Sequence, residues 1–176
     1  MEEIPFMYTD MSERDVYKWQ LDYTMPMIIK DFMAIPENRL AWRPAAKTRS
    51  AAQIFTHIIV TEQTHIRRFV LGIVDPRRYG PIRSLVNDDP TEEQVLAAIG
   101  SREELIAFWH EVREQTHAYL DSITDEDLKE VPTKTQLPDN DPNRYNPIRE
   151  WFVMTIKHQN MAWGEIHMIR RIIESG

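Results

Sequence analysis

The stretch NPIREWFVMTIKHQNMAWGEIHMIRRIIESG, residues 146–176, decides the fold class. Asn146 and Pro147 are typical of a helix start, an N-cap residue followed by proline at the first helical position, and Gly176 is suited to a helix end. Between them apolar residues recur at helical spacing over about eight turns. The sequence therefore predicts one long amphipathic helix at the end of the chain.

Three earlier segments have the same signals and predict three further long helices. A Ser, Thr or Asp followed three residues later by Glu or Gln is the capping-box spacing of a helix start. The pairs are Asp10 with Glu13, Ser50 with Gln53, Thr91 with Gln94, and Ser101 with Glu104. We expect long helices over residues 10–33, 50–71 and 101–123, a bend at Pro26 in the first, and a short helix after Thr91.

The connecting segments are rich in helix breakers. Residues 72–90 contain two glycines and three prolines, and residues 130–147 contain four prolines among Asp and Asn, so both predict long loops. We find no strand pattern, internal repeat or domain linker. The prediction is a single all-α domain over residues 1–176, a four-helix bundle with long crossover loops.

Composition limits the chemistry. The chain has no Cys, so any metal must be held by His, Asp or Glu. A net charge of −7 argues against a nucleic-acid partner, because binding to phosphates needs a surplus of Lys and Arg. The start of the chain is acidic, and no stretch approaches the ~18 apolar residues of a membrane span. We expect a cytoplasmic protein with no membrane partner.

Two polar residues fall in the apolar stripe of the last helix. At about 100° per residue, His158 lies near the centre of this stripe with Glu165 on the same side, and His167 lies on the opposite, solvent side. The other stripe members are Trp151, Met154, Thr155, Met161, Ala162, Ile169 and Ile172. His158 and Glu165 are therefore expected in the interior, either as hydrogen-bonded core groups or as a metal ligand and a working acid or base.

Other histidines are weaker candidates. On the second helix, His57 falls at the margin of the apolar stripe and His65 nearer its centre, where a histidine is either a satisfied core residue or a ligand. His110, Glu114 and His117 share one face of the third long helix, but its apolar stripe is on the other side, which favours a solvated surface. No glycine-rich phosphate loop, GxSxG turn or HExxH motif is present.

Three stretches, WRP at 42–44, SAAQIFTH at 50–57 and HQNMAWGEI at 158–166, resemble the signature regions of the DinB-like superfamily of four-helix-bundle metalloenzymes. The resemblance spans essentially the whole chain in helix order and length. It implies a divalent ion such as zinc or nickel held by three histidines, with His57 and His158 matching two of them. Ala162 stands at the third ligand position and Glu165 at the position of a Gln, whereas Gly164 matches. Because alanine supplies no ligand, we expect any divalent metal to bind weakly, at low occupancy.

The resemblance implies a divalent-metal-dependent transferase or hydrolase acting on a small molecule, with a low-molecular-weight thiol as co-substrate. His158 is then a ligand or base, His57 a second ligand, and Glu165 a base or orienting carboxylate. Two alternatives remain. One is a metal-free, inactive binding bundle, a homodimer, favoured by Ala162; the other is a metal-independent acid/base enzyme using His158 and Glu165.

Overall fold

A computed structural model of the chain describes residues 10–74 and 90–175, and these residues are helical with no β-strand. The helices are α1 (Glu13–Ala34), α2 (Ala51–Glu62), a π-helix that continues α2 (Gln63–Val70), α3 (Glu92–Ile99), α4 (Arg102–Ser122) and α5 (Ile148–Ser175). Short 3-10 turns occupy Glu37–Arg39, Asp127–Lys129 and Pro142–Tyr145. The predicted all-α fold is confirmed.

Helix starts were predicted well where a capping box is complete. The boxes that begin α2, α3 and α4 are all formed, with both the side-chain and the backbone hydrogen bond present. The prediction for α1 was wrong by two residues: its cap is Ser12, whose hydroxyl accepts from the backbone N–H of Asp15 at 3.2 Å. Pro26 lies inside α1, which nevertheless continues as one helix to Ala34.

The second long helix changes its winding half-way. From Gln63 the backbone forms a π-helix, in which each N–H bonds to the carbonyl five residues earlier. Leu71 N–H to Ile66 O, at 3.0 Å, is the last such bond. The helix propensities of residues 63–70 did not indicate this change from α-helix to π-helix.

The long helices form a four-membered bundle. α1 and α2 each pack against both α4 and α5, so α1 and α2 occupy opposite corners. α3 covers the bundle beside α2 and α4. No helix in the described ranges is long and apolar enough to cross a membrane.

A buried polar network links all four long helices at the bundle centre. Glu62, fully buried at the end of α2, is bonded to Arg113 of α4. Arg113 also donates to Gln159 of α5 at 2.8 Å, and the Gln159 amide donates to the Leu21 carbonyl and the Thr24 hydroxyl of α1, each at 2.6 Å. Glu62, Arg113 and Gln159, the buried polar residues of this network, thereby have the hydrogen-bond partners that burial requires.

The buried face of α5 is rotated from the one predicted. Phe152, Ile156, Gln159 and Ile166 face the core, whereas Met161 is 56% exposed. The side chains of His158 and Glu165 are half-buried at the edge of the core, so the prediction that they lie in the interior was wrong. Apolar residues of α5 line a surface cleft as well as the core. The apolar stripe read from the sequence is therefore wider than the buried face, and its centre is shifted toward the cleft.

His167 does not lie free on the solvent side of α5. Its Nδ1 is 2.9 Å from a carboxylate oxygen of Asp31 in α1, and Trp163 Nε1 donates to the same oxygen at 3.2 Å. Arg170 pairs with the other Asp31 oxygen at 3.0 Å. Asp31 therefore fastens the second half of α5 to α1.

The end of the π-helix meets the crossover loop over residues 130–147. Gly72 has a φ of 69°, and a Cβ added to it would lie 2.3 Å from the Lys134 carbonyl oxygen. Only glycine satisfies both the left-handed φ and this close backbone approach. The loop thus packs at the Val70 end of the second helix, while most of the other predicted loop, residues 75–89, lies outside the described residues.

Candidate functional site

Three histidines meet where α2 and its π-helical extension pack against α5. The ring centroid of His158 lies 5.7 Å from that of His57 and 5.6 Å from that of His65. The planes are inclined by 64° and 71° respectively. Trp151 covers the His65 side, with ring centroids 5.4 Å apart. We call these three residues the histidine cluster.

The hydrogen bonds of two members fix which ring nitrogen carries the proton. His158 Nδ1 lies 2.7 Å from the Met154 carbonyl oxygen, which can only accept, so Nδ1 is the protonated nitrogen. His65 Nδ1 lies 3.0 Å from the Thr155 hydroxyl, whose own proton goes to the Trp151 carbonyl at 2.8 Å. His65 Nδ1 is therefore also a donor, and in the neutral form of either ring Nε2 carries the lone pair.

His57 is the least satisfied member of the cluster. Its Nδ1 is buried and has no hydrogen-bond partner within the described part of the chain. Burial lowers the pKa of His57 to about 4, with the charges of Arg49 and His158 acting in the same direction. Burial, and then the two neighbouring histidines, also lowers the pKa of His65 to about 4. Both imidazoles are thus neutral at physiological pH, the form that binds a metal ion.

The π-helix explains how His65 reaches the cluster. In a continuous α-helix His57 and His65, eight residues apart, would differ by about 80° around the axis. The wider turns of a π-helix advance less per residue, which reduces that difference and turns His65 toward α5. Ideal α-helical spacing places His65 nearer the core stripe and brings it to the site only if the second helix is rotated; no local signal marks the π-helix that rotates it.

The cluster is close to, but not at, the geometry of a metal centre. Two imidazoles that share a tetrahedral zinc at about 2.0–2.1 Å have centroids roughly 5 Å apart, slightly less than the separations here. Among residues 10–74 and 90–175, no group of three or more His, Asp or Glu side chains is placed so that it could hold a metal ion. The residue types and the unpartnered Nδ1 of His57 suit such an ion, whereas the ring positions of the described structure do not form a metal site.

Comparison with known proteins identifies the family. The family model of the DinB superfamily matches residues 20–166, most of the chain. This chain belongs to the DinB superfamily. No curated protein matches it significantly. The match supports the bundle and the family.

Two predicted site positions of this DinB-superfamily chain lie outside the histidine cluster. Ala162, which aligns with a ligand position by resemblance, is 3% exposed and packs in the apolar core. Glu165 lies at the surface end of α5 and accepts from Arg49 Nη2 at 3.2 and 3.4 Å. The partner of the Glu165 carboxylate in the described structure is thus a guanidinium group and not a histidine of the cluster.

The histidines of α4 do not form a site in the described structure. His110 and Glu114 are exposed, as predicted. His117 Nε2 lies 3.2 Å from a carboxylate oxygen of Asp22 in α1.

A cleft of about 720 Å³ adjoins the histidine cluster. It begins one helical turn from the cluster, at Ile54 of α2 and Met161 of α5, and extends toward the loop before α2. Its lining consists of Pro44, Lys47, Thr48, Arg49, Ile54, Met161, Gly164, Glu165, Met168, Ile169 and Ile172. Its volume is in the range of small-molecule sites. The crossover loop lies at the opposite end of the second helix and does not line it.

Proposed function

We propose that this chain is a divalent-metal-dependent enzyme of the transferase or hydrolase class, with His57, His65 and His158 as the metal ligands. The observation that carries the proposal is the meeting of three histidines around His158. His65, supplied by the π-helix, replaces the ligand that is absent at Ala162. Three protein ligands plus an open position are the usual set of a catalytic zinc.

The chain's own residues prepare the two ring nitrogens for this role. The Met154 carbonyl and the Thr155 hydroxyl hold protons on Nδ1 of His158 and His65, which leaves both Nε2 atoms as lone-pair donors. Partners of this kind orient metal-binding histidines and raise their basicity. A bound zinc or nickel would supply a Lewis acid that lowers the pKa of a coordinated water or thiol. Arg49, which pairs with Glu165 in the described structure, would orient the substrate beside it.

Elemental analysis tests the proposal without an activity assay. Untagged protein, purified without chelator, saturated with zinc and then dialysed against zinc-free buffer, is compared with His65→Ala, His158→Ala and the exposed control His110→Ala. We expect about one zinc per chain in the wild type and the control, and little in the other two. Retention of zinc by both cluster variants would contradict the proposal.

A metal-free binding bundle is the second candidate. Ala162, buried where the resemblance expects a ligand, favours it. The Ala162→His variant separates the two candidates. If the wild type holds no zinc and this variant gains it in stoichiometric amount, the natural chain has lost a ligand and the metal-free function is the better account.

A further inference from the structure

The cleft beside the histidine cluster has an apolar wall that is open to solvent. On α5, Met161, Met168 and Ile172 are 56%, 59% and 39% exposed, and all three line the cleft. Gly164 lies between them, and a Cβ added there would meet no atom within 4 Å, so the floor is unobstructed. Exposed apolar side chains gathered along one concave surface are typical of a binding site. Methionine, which is flexible and polarisable, adapts to a ligand of irregular shape.

The rim of the cleft carries positive charge although the chain as a whole is acidic. Lys47 and Arg49 lie in the loop before α2, and both line the cleft. Arg49 is paired with Glu165, but the two side chains are 37% and 40% exposed. An exposed ion pair contributes little to the stability of a fold, so a ligand anion can displace the Glu165 carboxylate at small cost.

We propose that this cleft binds an amphipathic small-molecule anion. Its apolar body lies along Met161, Met168 and Ile172, and its carboxylate, sulfonate or phosphate group is bound by Lys47 and Arg49. Arginine suits such a group because its planar guanidinium donates two parallel hydrogen bonds. That the anion is the enzyme's substrate rests on the proposed function, whereas its binding does not require the metal.

The test compares two dyes that share an aromatic body. The anionic 1-anilinonaphthalene-8-sulfonate carries a sulfonate, and N-phenyl-1-naphthylamine lacks it. Each is titrated into chelator-treated protein by fluorescence, with stoichiometry measured by calorimetry, and again after zinc is added. We expect one saturable site that prefers the sulfonate in both preparations.

Variants assign the charge contribution. Arg49→Gln should weaken binding of the anionic dye roughly 10- to 100-fold and leave the neutral dye unchanged, because a hydrogen bond to a charged group is lost. Arg49→Lys should recover part of the loss. Glu165→Gln should strengthen anion binding by removing the competing carboxylate. Arg171→Gln, exposed on α5 and outside the cleft, is the matched control and should behave as the wild type.

Several results would overturn the proposal. Equal affinity for the two dyes, or an Arg49→Gln variant that keeps its preference for the anion, means that Lys47 and Arg49 bind no anion. If the wild type binds neither dye, sediments as a dimer, and becomes monomeric in Met168→Asp, the cleft is covered by a second copy of the chain. Zinc binding without dye binding would refute only this inference, and dye binding without zinc only the proposed metal function.

Discussion

Arg113 donates hydrogen bonds to both carboxylate oxygens of Glu62 at the centre of the bundle. Its Nε donates to one oxygen at 2.9 Å and its Nη2 to the other at 2.9 Å, with both side chains buried. Burial alone would raise the pKa of Glu62, but the charge and hydrogen bonds of Arg113, aided by Thr116 and Trp109, hold it below its usual value. Glu62 is the last residue of α2, and the π-helix begins at the next residue.

Removing Arg113 should destabilise the protein strongly. Arg113→Met leaves the Glu62 carboxylate buried without a counter-charge, a loss of about 3–5 kcal/mol in the free energy of unfolding. Urea denaturation measures it, with Arg171→Met, on the exposed face of α5, as control. The double variant Glu62→Leu/Arg113→Met should recover much of the loss, since no unpaired charge remains. Additive losses would show that the two residues are not coupled.

The histidine cluster should make stability depend on pH between about 6.5 and 4. The pKa of His57 and of His65 is lowered to about 4 in the folded chain, from 6.5 in the unfolded one. In this window the unfolded chain binds protons that the native chain does not, so the free energy of unfolding falls as pH falls. The slope is at most about 1.4 kcal/mol per pH unit for each histidine.

Urea denaturation at a series of pH values, with chelator present, measures this slope. His65→Gln should reduce it, whereas His110→Gln, on an exposed position, should not. An unchanged slope in His65→Gln would mean that His65 is protonated as readily in the native chain as in the unfolded one.

If the proposed metal function is right, Thr155 should influence zinc binding although it is not a ligand. Thr155→Val keeps the shape of a buried side chain but removes the acceptor of the His65 Nδ1 proton. Loss of such a partner typically weakens metal binding by about 10–100-fold. Competition for zinc with a chromophoric chelator measures the change, and Thr133→Val, at an exposed position, is the control. Wild-type affinity in Thr155→Val would argue that His65 is not a ligand.

Two glycines should respond to alanine in opposite directions. Gly72→Ala places a Cβ against the Lys134 carbonyl at a positive φ and should cost more than about 1 kcal/mol. Gly164→Ala adds a methyl in open space within α5 and should stabilise by about 0.5–1 kcal/mol, because alanine is the better helix former. Thermal melts of both variants give the comparison. A stabilising Gly72→Ala would refute the close approach of the two backbones.

The sequence was most informative where structure is determined by neighbouring residues. Capping boxes such as Ser50 with Gln53 predicted helix starts correctly, because each box satisfies backbone groups within one turn. The change to a π-helix after Glu62 could not be predicted from neighbouring residues. Glu62, the last residue of α2, is bonded to Arg113 of α4, which is distant in sequence. On ideal α-helical geometry, His65 contributes to the site of His57 and His158 only if the second helix is rotated, and no local signal predicted such a rotation.

The face of α5 was misassigned for a related reason. Periodicity counts apolar side chains without distinguishing those that face the core from those that face a cleft, so Met161 was counted with Ile169. Gln159 is polar but lies at the centre of the core, so the face of α5 that is buried appears less apolar in the sequence than it would with an apolar residue there. The resemblance to a known family identified His57 and His158 correctly as neighbours, although periodicity alone did not select His57.

The crossover loop at residues 130–147 packs at the Gly72 end of the bundle, and the cleft opens at the other. The loop therefore provides an attachment site at the end of the molecule opposite the cleft. With no native cysteine to compete, a single thiol introduced at the exposed Asn140 can be labelled or coupled to a solid support. An immobilised chain would then present the cleft outward, oriented uniformly toward the solution.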